Sequence, residues 1–286
     1  MRAHVPSTLA EAVAALAEAP AETVVLAGCT DWLVGRHARA LPPPEAVLDL
    51  SRVDELRGVS LVDGWLELGA TTTFSELRRD ELVNEHFPIL AQAAATIGGW
   101  QIQNRATIGG NVANASPAGD SLPVLLALDA EVVIAGADGE RRVRYGEFHR
   151  GYRKTALRPG ELIARLRVRL PRPNLEQHFR KVGTRAAQAI SKVVVAFTVE
   201  VEDGRLRSAR LAAGSVAPTP VRLKDAEDAC EGERPTAELA RKVAELARAG
   251  VKPIDDVRST ARYRQFALER VVRRMILEVM ESCAGA

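Results

Sequence analysis

The sequence predicts an α+β protein made of three modules in one chain of 286 residues. Helix and strand signals alternate over the first fifty residues, and hairpin signals with Asp-Gly turns follow from about residue 58. The last seventy residues are predicted to be helical, and Pro171-Arg-Pro173 interrupts the chain before the third module. These observations favour three units that each combine helices and strands.

The first module resembles a small β-α-β unit with a glycine turn. Thr8 and Glu11 form a capping-box pattern ahead of an Ala-rich helix. A short apolar strand over 23–27 ends at Gly28, and Thr30 or Asp31 caps a second helix that runs to about residue 37. The prolines at 42–44 then end this helix before a strand at 46–50.

The second module begins with a hairpin, because strands at 59–62 and 65–69 flank Asp63-Gly64. Thr73 and Glu76 form another capping box, which predicts a helical stretch that continues past Pro88 to about residue 96. The Gly- and Asn-rich segment 98–120 has no clear period, and a segment of this kind inside a compact domain is usually functional or disordered. Its isoleucines, with Trp100 and Val112, argue for order. The remaining strands are predicted at 131–135, 141–145 and 162–170.

The third module has predicted strands at 178–182, 193–201 and 206–213 and a long helix from about 261 to 283. We therefore expect domain boundaries at 1–56, 57–172 and 173–286.

Composition excludes several functional classes. With 39 basic and 37 acidic side chains, no broad basic face is demanded, and nucleic acid is not an expected partner. No stretch approaches the roughly 18 apolar residues of a membrane span, and the N-terminus lacks the apolar core of a signal peptide. The three cysteines are far apart, and the histidines lack ligand spacing. We expect a cytoplasmic protein whose metal chemistry, if any, belongs to a partner.

Two glycine loops are the candidates for cofactor binding: 27–31 and 107–111. Glycine lets backbone N–H groups converge on an anion, and the first loop lies between a strand and a helix, whose N-terminus favours negative charge. Two such loops can hold a pyrophosphate from both sides, although each is also compatible with a tight turn. No G-x-G occurs, and neither a Walker A motif nor a G-x-S-x-G or H-E-x-x-H motif is present, so a nucleotide would bind to a fold other than the Rossmann fold.

Two charged residues accompany these loops. Asp120 follows the second loop and is placed either to accept hydrogen bonds from ribose hydroxyls or to cap the helix that starts at Ser121. Lys181 lies on a predicted strand, where it either faces solvent or places a positive charge beside a flavin.

The segment 101–130, QIQNRATIGGNVANASPAGDSLPVLLALDA, closely resembles the central signature of the FAD-binding subunits of molybdopterin dehydrogenases, the xanthine and carbon monoxide dehydrogenase family. LAGCTDWL at 26–33 is similar to the family's first phosphate loop. LGATTTF at 68–74, FRKVGTR at 179–185 and the helix over 259–274 look like its other landmarks. The resemblance covers essentially the whole chain.

This resemblance implies the two-subdomain FAD-binding fold of the vanillyl-alcohol-oxidase (PCMH) type, followed by a smaller α+β domain. It implies that Asp120 lies near the ribose, that Ile97 and Ile163 line the flavin, and that Lys181 lies close to it. It also implies a set of residues that hold the pyrophosphate: Ala27, Gly28, Cys29, Thr30, Asp31, Thr107, Ile108, Gly109, Gly110 and Asn111. One departure is Cys29, because the family commonly has a second glycine at this point of the loop.

In this family, a molybdenum cofactor on a large subunit oxidises the substrate, and electrons pass through two [2Fe–2S] clusters of a small subunit to FAD. The resemblance therefore implies an electron-transfer subunit with no acid–base pair of its own, in a dimer of heterotrimers. Two alternatives remain open. One is a self-contained FAD oxidoreductase with Ser116, Tyr152 or Glu161 as proton donor, and the other is a non-enzymatic assembly subunit whose glycine loops are only turns.

Overall fold

The computed structural model describes residues 2–20, 23–39 and 42–285. Across these ranges the chain forms three main sheets, whose strands lie within residues 2–49, 59–169 and 175–222, and one short hairpin. Helices cover the sheets, as the α+β prediction requires.

The first sheet is parallel and small. Its strand order is β1-β3-β2, and the first strand was not predicted from the sequence. Its elements are β1 (Arg2–His4), α1 (Leu9–Ala17), β2 (Val24–Leu26), α2 (Thr30–Arg39) and β3 (Ala46–Asp49). The Thr8 side chain caps α1, but the Glu11 carboxylate accepts hydrogen bonds from Ser7 and not from Thr8, so only half of the predicted capping box forms.

The second sheet is antiparallel, in the order β4-β5-β10-β6-β7. Its strands are β4 (Val59–Val62), β5 (Trp65–Gly69), β6 (Glu131–Gly136), β7 (Gly139–Arg144) and β10 (Leu162–Arg169), and the hairpin strands β8 (His149–Gly151) and β9 (Lys154–Thr155) lie outside it. Arg165, Arg167 and Arg169 alternate with buried Leu166 and Val168, because successive side chains of a strand point to opposite faces.

Seven helices of the described chain accompany this sheet: α3 (Phe74–Arg79), α4 (Glu81–His86), α5 (Pro88–Thr96), α6 (Trp100–Gln103), α7 (Ile108–Asn114), α8 (Ser121–Ala127) and α9 (Tyr145–Phe148). The sequence predicted one continuous helical stretch over 73–96, which was wrong, because the structure has three separate helices there, α3, α4 and α5. Asp80 is extended and caps α4 with its own side chain, and Pro88 starts α5 at a position where a missing N–H costs nothing. The Gly-rich segment 98–120 is ordered and holds α6 and α7.

The third sheet is antiparallel in the order β11-β12-β13-β14 and is covered by α10, α11 and α12. Its elements are β11 (Leu175–Val182), β12 (Val193–Glu202), β13 (Arg205–Gly214), β14 (Val221–Arg222), α10 (Lys224–Asp228), α11 (Ala237–Ala249) and α12 (Ala261–Gly285).

The third sheet also packs against the second module. Helix α5 contacts β11, and α8 contacts β12 and β13. Phe179 reaches the core of the second module, where Ala196 and Ala212 are buried. The Thr198 hydroxyl donates to the carbonyl of Ala127 at 3.2 Å. No helix within the described ranges combines the length and apolar character needed to cross a bilayer.

Gly69, at the end of β5, tests how closely the backbone of the second sheet packs against Leu56. A Cβ at Gly69 would lie 2.4 Å from the carbonyl oxygen of Leu56, which already accepts hydrogen bonds from the backbone and side chain of Thr71. Because backbone atoms must move, we expect Gly69→Ala to lower the free energy of unfolding by about 1–3 kcal/mol, measured by urea denaturation. Gly35→Ala is the matched control: it lies in α2 with open space around its Cβ position and should add about 0.5–1 kcal/mol. Equal effects of the two substitutions would contradict this account.

Candidate functional site

A groove of about 960 Å³ opens where the first sheet meets the second module. This volume lies within the roughly 300–1,000 Å³ of small-molecule and cofactor sites. Both glycine loops line it, and with Ile163 of β10 they bring ten of the fourteen predicted site residues together: Ala27, Gly28, Cys29, Thr30, Asp31, Thr107, Gly109, Gly110, Asn111 and Ile163.

The first loop, residues 27–31, joins β2 to α2 and touches the backbone of the second module directly. A Cβ at Gly28 would lie 1.9 Å from the carbonyl oxygen of Arg105, so no other residue fits without separating the two segments. The backbone N–H groups of Cys29, Thr30 and Asp31 donate to no acceptor in the described chain. These are the unsatisfied N–H groups of a helix start, and they line the groove where an anion can accept from them.

Cys29 adopts a backbone conformation that favours glycine. Its φ of 62° is left-handed, which L-residues with a Cβ adopt at a cost of about 1–2 kcal/mol. Its Sγ is directed at the carbonyl oxygen of Ala27, 3.5 Å away. Burial, assisted by the negative charge of Asp49, raises the pKa of the Cys29 thiol. The loop therefore carries a protonated thiol on a residue whose backbone is in a left-handed conformation.

The second loop, residues 107–111, is built differently from the sequence-based expectation. Four of its five N–H groups are already bonded: Ile108 to Thr72 O at 3.0 Å, Gly109 to Ala70 O at 2.9 Å, and Gly110 to the Thr107 hydroxyl at 3.1 Å. The Asn111 N–H donates to Thr107 O at 3.0 Å. Within the described chain, the N–H groups of 108–111 therefore do not converge on an anion, and only that of Thr107 is without an acceptor.

What this loop offers to the groove is side chains and close packing. Thr107 is the N-cap of α7, a signal that sequence inspection missed although Thr is a preferred capping residue. A Cβ at Gly109 would lie 2.6 Å from Ala70. The Ser121 hydroxyl donates to Asn111 Oδ1 at 2.8 Å, which leaves the Asn111 amide nitrogen as a donor for a ligand.

The other four predicted residues do not line the groove: Ile97, Ile108, Asp120 and Lys181. Ile108 is fully buried in the core, and Ile97 is half-buried against it. Asp120 does not cap α8 with its side chain, so the capping interpretation was wrong. Lys181 does not face solvent either, because its side chain is only 10% exposed.

Asp120 and Lys181 instead form a buried ion pair. Lys181 Nζ lies 2.5 Å from Asp120 Oδ2 and donates to the carbonyl of Thr96 at 2.8 Å. The hydroxyl of buried Ser191 donates to Asp120 Oδ1, and the hydroxyl of Thr96 donates to Asp120 Oδ2 at 3.4 Å. Burial raises the pKa of the Asp120 carboxyl, against the opposing effect of Lys181. Asp120 therefore compensates the positive charge of Lys181. The pair connects the second and third modules.

Two arginines and a tryptophan lining the groove were missed from the sequence: Trp32, Arg36 and Arg153. The Arg36 guanidinium lies 5.5 Å from the ring of Trp32, one helical turn away on α2, a spacing that helical periodicity could have revealed. Arg153 has a left-handed φ of 51° and donates to Asn114 Oδ1 at 2.7 Å. Neither arginine pairs with an acid in the described ranges, so both positive charges are available to a ligand.

Comparison with known proteins identifies the chain. Residues 1–173 match the model of the FAD binding domain in molybdopterin dehydrogenase, and residues 178–279 match that of the CO dehydrogenase flavoprotein C-terminal domain. The chain belongs to this flavoprotein family. It is thus an FAD-binding oxidoreductase subunit.

Individual relatives of this flavoprotein span its whole length. It is 31% identical over 284 residues to the xanthine dehydrogenase FAD-binding subunit of Escherichia coli O157:H7, covering 99% of this chain and 97% of that protein. It is 29% identical to the carbon monoxide dehydrogenase medium chain of Hydrogenophaga pseudoflava, covering 98% of this chain and 97% of that protein.

Solved structures agree in fold. The carbon monoxide dehydrogenase of Hydrogenophaga pseudoflava that lacks the Mo-pyranopterin moiety matches with a TM-score of 0.93 at 29% identity, covering 99% of this chain and 98% of that chain. Quinoline 2-oxidoreductase from Pseudomonas putida 86 matches with a TM-score of 0.92 at 27% identity, with the same coverage. The predicted fold class is confirmed.

Cys29 gives a stability prediction for the flavoprotein. Because glycine adopts a left-handed φ without a Cβ clash, we expect Cys29→Gly to raise the free energy of unfolding by about 0.5–1 kcal/mol in urea denaturation. Cys29→Ala, which removes the thiol but keeps the Cβ, is the control and should give no such gain. A Cys29→Gly protein less stable than the parent would show that the thiol contact outweighs the backbone strain.

The Asp120–Lys181 pair gives a second prediction. Asp120→Asn leaves a buried ammonium without its counter-charge, so we expect a loss of about 3–5 kcal/mol in the free energy of unfolding. The double substitution Asp120→Asn, Lys181→Met should recover much of this loss in a double-mutant cycle. Arg248→Gln, which breaks the more exposed pair with Glu269, is the control and should cost no more than about 1 kcal/mol. Equal losses from Asp120→Asn and Arg248→Gln would refute the role of the buried pair.

Proposed function

We propose that this chain is the electron-transfer subunit of a molybdenum hydroxylase. It binds FAD in the groove between the two glycine loops, receives electrons from [2Fe–2S] clusters of a partner subunit and passes them to a final acceptor. The observation that carries the proposal is the groove itself. It combines the unbonded N–H groups of 29–31 with Arg36 and Arg153, which form no ion pair in the described chain, and such donors suit a pyrophosphate.

Different residues of the groove would contact different parts of FAD. The N–H groups at 29–31 would hold one phosphate, and the side chains of Thr107 and Asn111 would contact the pyrophosphate from the second module. Ile163, which is 5% exposed, lines the groove from β10, and Ile97 lies at the end of α5, next to Thr96 of the Asp120–Lys181 network. We propose that Asp120, near the ribose, and Lys181, near the flavin, act as a compensated pair that supports the site without lining the groove. When bound, FAD supplies the electron-transfer chemistry.

The chain's own residues bind and orient the cofactor without serving as acids or bases. Glu161 lines the groove, but two hydrogen bonds from Arg141, at 2.6 and 2.7 Å, hold it. Arg141 lowers the pKa of the Glu161 carboxyl, so this residue is a poor proton donor at neutral pH. Tyr152 is 63% exposed, and Ser116 accepts a hydrogen bond from the Ala118 N–H. These observations count against a self-contained reductase.

The proposed partners are a molybdenum-cofactor large subunit and a [2Fe–2S] small subunit, assembled as a dimer of heterotrimers. Relatives described as medium chains or as FAD-binding subunits of dehydrogenases support assembly with other subunits. We further propose that the complex is cytoplasmic and that the domains of this chain divide at 1–56, 57–172 and 173–286. The family match to an FAD-binding domain argues against an assembly subunit without a cofactor.

Gly28 is the sharpest point at which to test this function. Because Gly28→Ala places a Cβ on the Arg105 carbonyl, we expect the dissociation constant for FAD to rise at least about tenfold, which corresponds to about 1.4 kcal/mol of binding free energy, so that less than one FAD per chain is retained. The measurement is the visible spectrum of the purified chain after incubation with FAD and removal of the excess. Gly146→Ala is the control, because its Cβ position lies 3.7 Å from the nearest atom and outside the groove.

The same variant tests electron transfer in the co-purified complex. Substrate should still reduce the [2Fe–2S] clusters of the Gly28→Ala complex, while reduction of the final acceptor is lost. Full acceptor reduction by a complex that lacks FAD, or substrate turnover by this chain alone, would overturn the proposal.

A further inference from the structure

A second groove, of about 540 Å³, lies between the end of β11 and the middle of α12. It shares no lining residue with the groove of the glycine loops. Its apolar surface is formed by Val182 of β11 with Val271 and Met275 of α12. The site is therefore concave, partly apolar and formed by elements of the third module.

Four arginines line this second groove: Arg180, Arg185, Arg270 and Arg274. Arg180 and Arg274 both contact Oε1 of Glu278, at 3.3 and 3.1 Å, and Arg274 also pairs with Glu281. Lys181 contributes no net charge, because Asp120 compensates it. Four guanidinium groups thus face two carboxylates, which leaves two positive charges without compensation.

Arg185 and Arg270 are the unpaired arginines. Arg185 donates through Nε and one terminal nitrogen to the carbonyl of Gln188, which leaves its other terminal nitrogen available. Arg270 lies 5.1 Å from the ring of Phe266 and forms no ion pair with an acid of the described chain. The backbone N–H groups of Gly183 and Thr184 likewise find no acceptor among residues 2–20, 23–39 and 42–285. Donors from the strand end and from the helix therefore line the same groove.

We propose that this groove binds the phosphate group of a small phosphorylated molecule. A phosphate monoester carries about −1.5 to −2 charges at pH 7, which matches the two uncompensated charges, whereas a single carboxylate matches only one. Guanidinium forks suit phosphate oxygens, and free backbone N–H groups complete such sites. The volume exceeds that needed for a phosphate ion alone, so the organic body of the ligand lies against Val182, Val271 and Met275.

The proposal is tested by calorimetric titration of the full chain saturated with FAD, so that the glycine-loop groove is occupied. The probes are AMP, inorganic phosphate and adenosine. We expect AMP to bind with one site per chain, at least about tenfold more tightly than adenosine, and with an affinity that falls as the salt concentration rises. Arg270→Gln should weaken AMP binding about tenfold, and Arg270→Lys should weaken it less.

Arg273→Gln is the matched control, because Arg273 is exposed on the same helix but does not line the groove, and it should leave AMP binding unchanged. The visible spectrum, recorded in parallel, shows whether FAD stays bound. Equal binding of adenosine and AMP would overturn the proposal, and so would equal effects of Arg270→Gln and Arg273→Gln. Binding of poly-glutamate without binding of AMP would also overturn it, in favour of an acidic protein partner. A chain that takes up no FAD would contradict the proposed function and would leave the effect of Arg270→Gln as an independent result.

Discussion

The FAD-binding half of the molecule depends on backbone segments that approach each other more closely than any side chain allows. A Cβ at Gly28 would lie 1.9 Å from the Arg105 carbonyl, and one at Gly109 would lie 2.6 Å from Ala70. These two contacts hold the first loop against residues 105–106 and α7 against Ala70. Because glycine alone permits both approaches, the separation of the two loops, and with it the width of the groove, is set by backbone atoms and not by adjustable side chains.

Much of this arrangement could be predicted from the sequence, because its signals are local. The hairpin around Asp63-Gly64, the capping box at Thr73 and the strand that ends before Gly28 each depend on residues a few positions apart. The long resemblance over 101–130 added the fold class and the family, which the comparisons confirm. Helix breaks at Asp80 and Phe87 were missed, because the apolar periodicity continues across them while the backbone does not.

Interactions between distant residues were not predictable in the same way. Asp120 and Lys181 are 61 positions apart, and each alone suggested a ligand contact, a helix cap or a solvated face. Burial changes their meaning: an ammonium and a carboxylate removed from water must compensate each other, and Ser191 and Thr96 satisfy the remaining carboxylate contacts. The network couples α5, α8 and β11, so the third module becomes part of the support for the cofactor domain and not an independent appendage.

Similar glycine-rich sequences serve opposite physical purposes in the two loops. At 27–31, glycine removes a steric obstacle and leaves N–H groups without partners at the start of α2, so this loop has donors to give to an anion. At 107–111, glycine permits tight packing against Ala70, and the N–H groups of 108–111 are used within the protein. The left-handed Cys29 fits this division, because the first loop must preserve the direction of its N–H groups even at the cost of strain. The first loop therefore has free N–H donors that an anion can use, whereas the second loop packs closely against Ala70 and forms a rigid side of the groove.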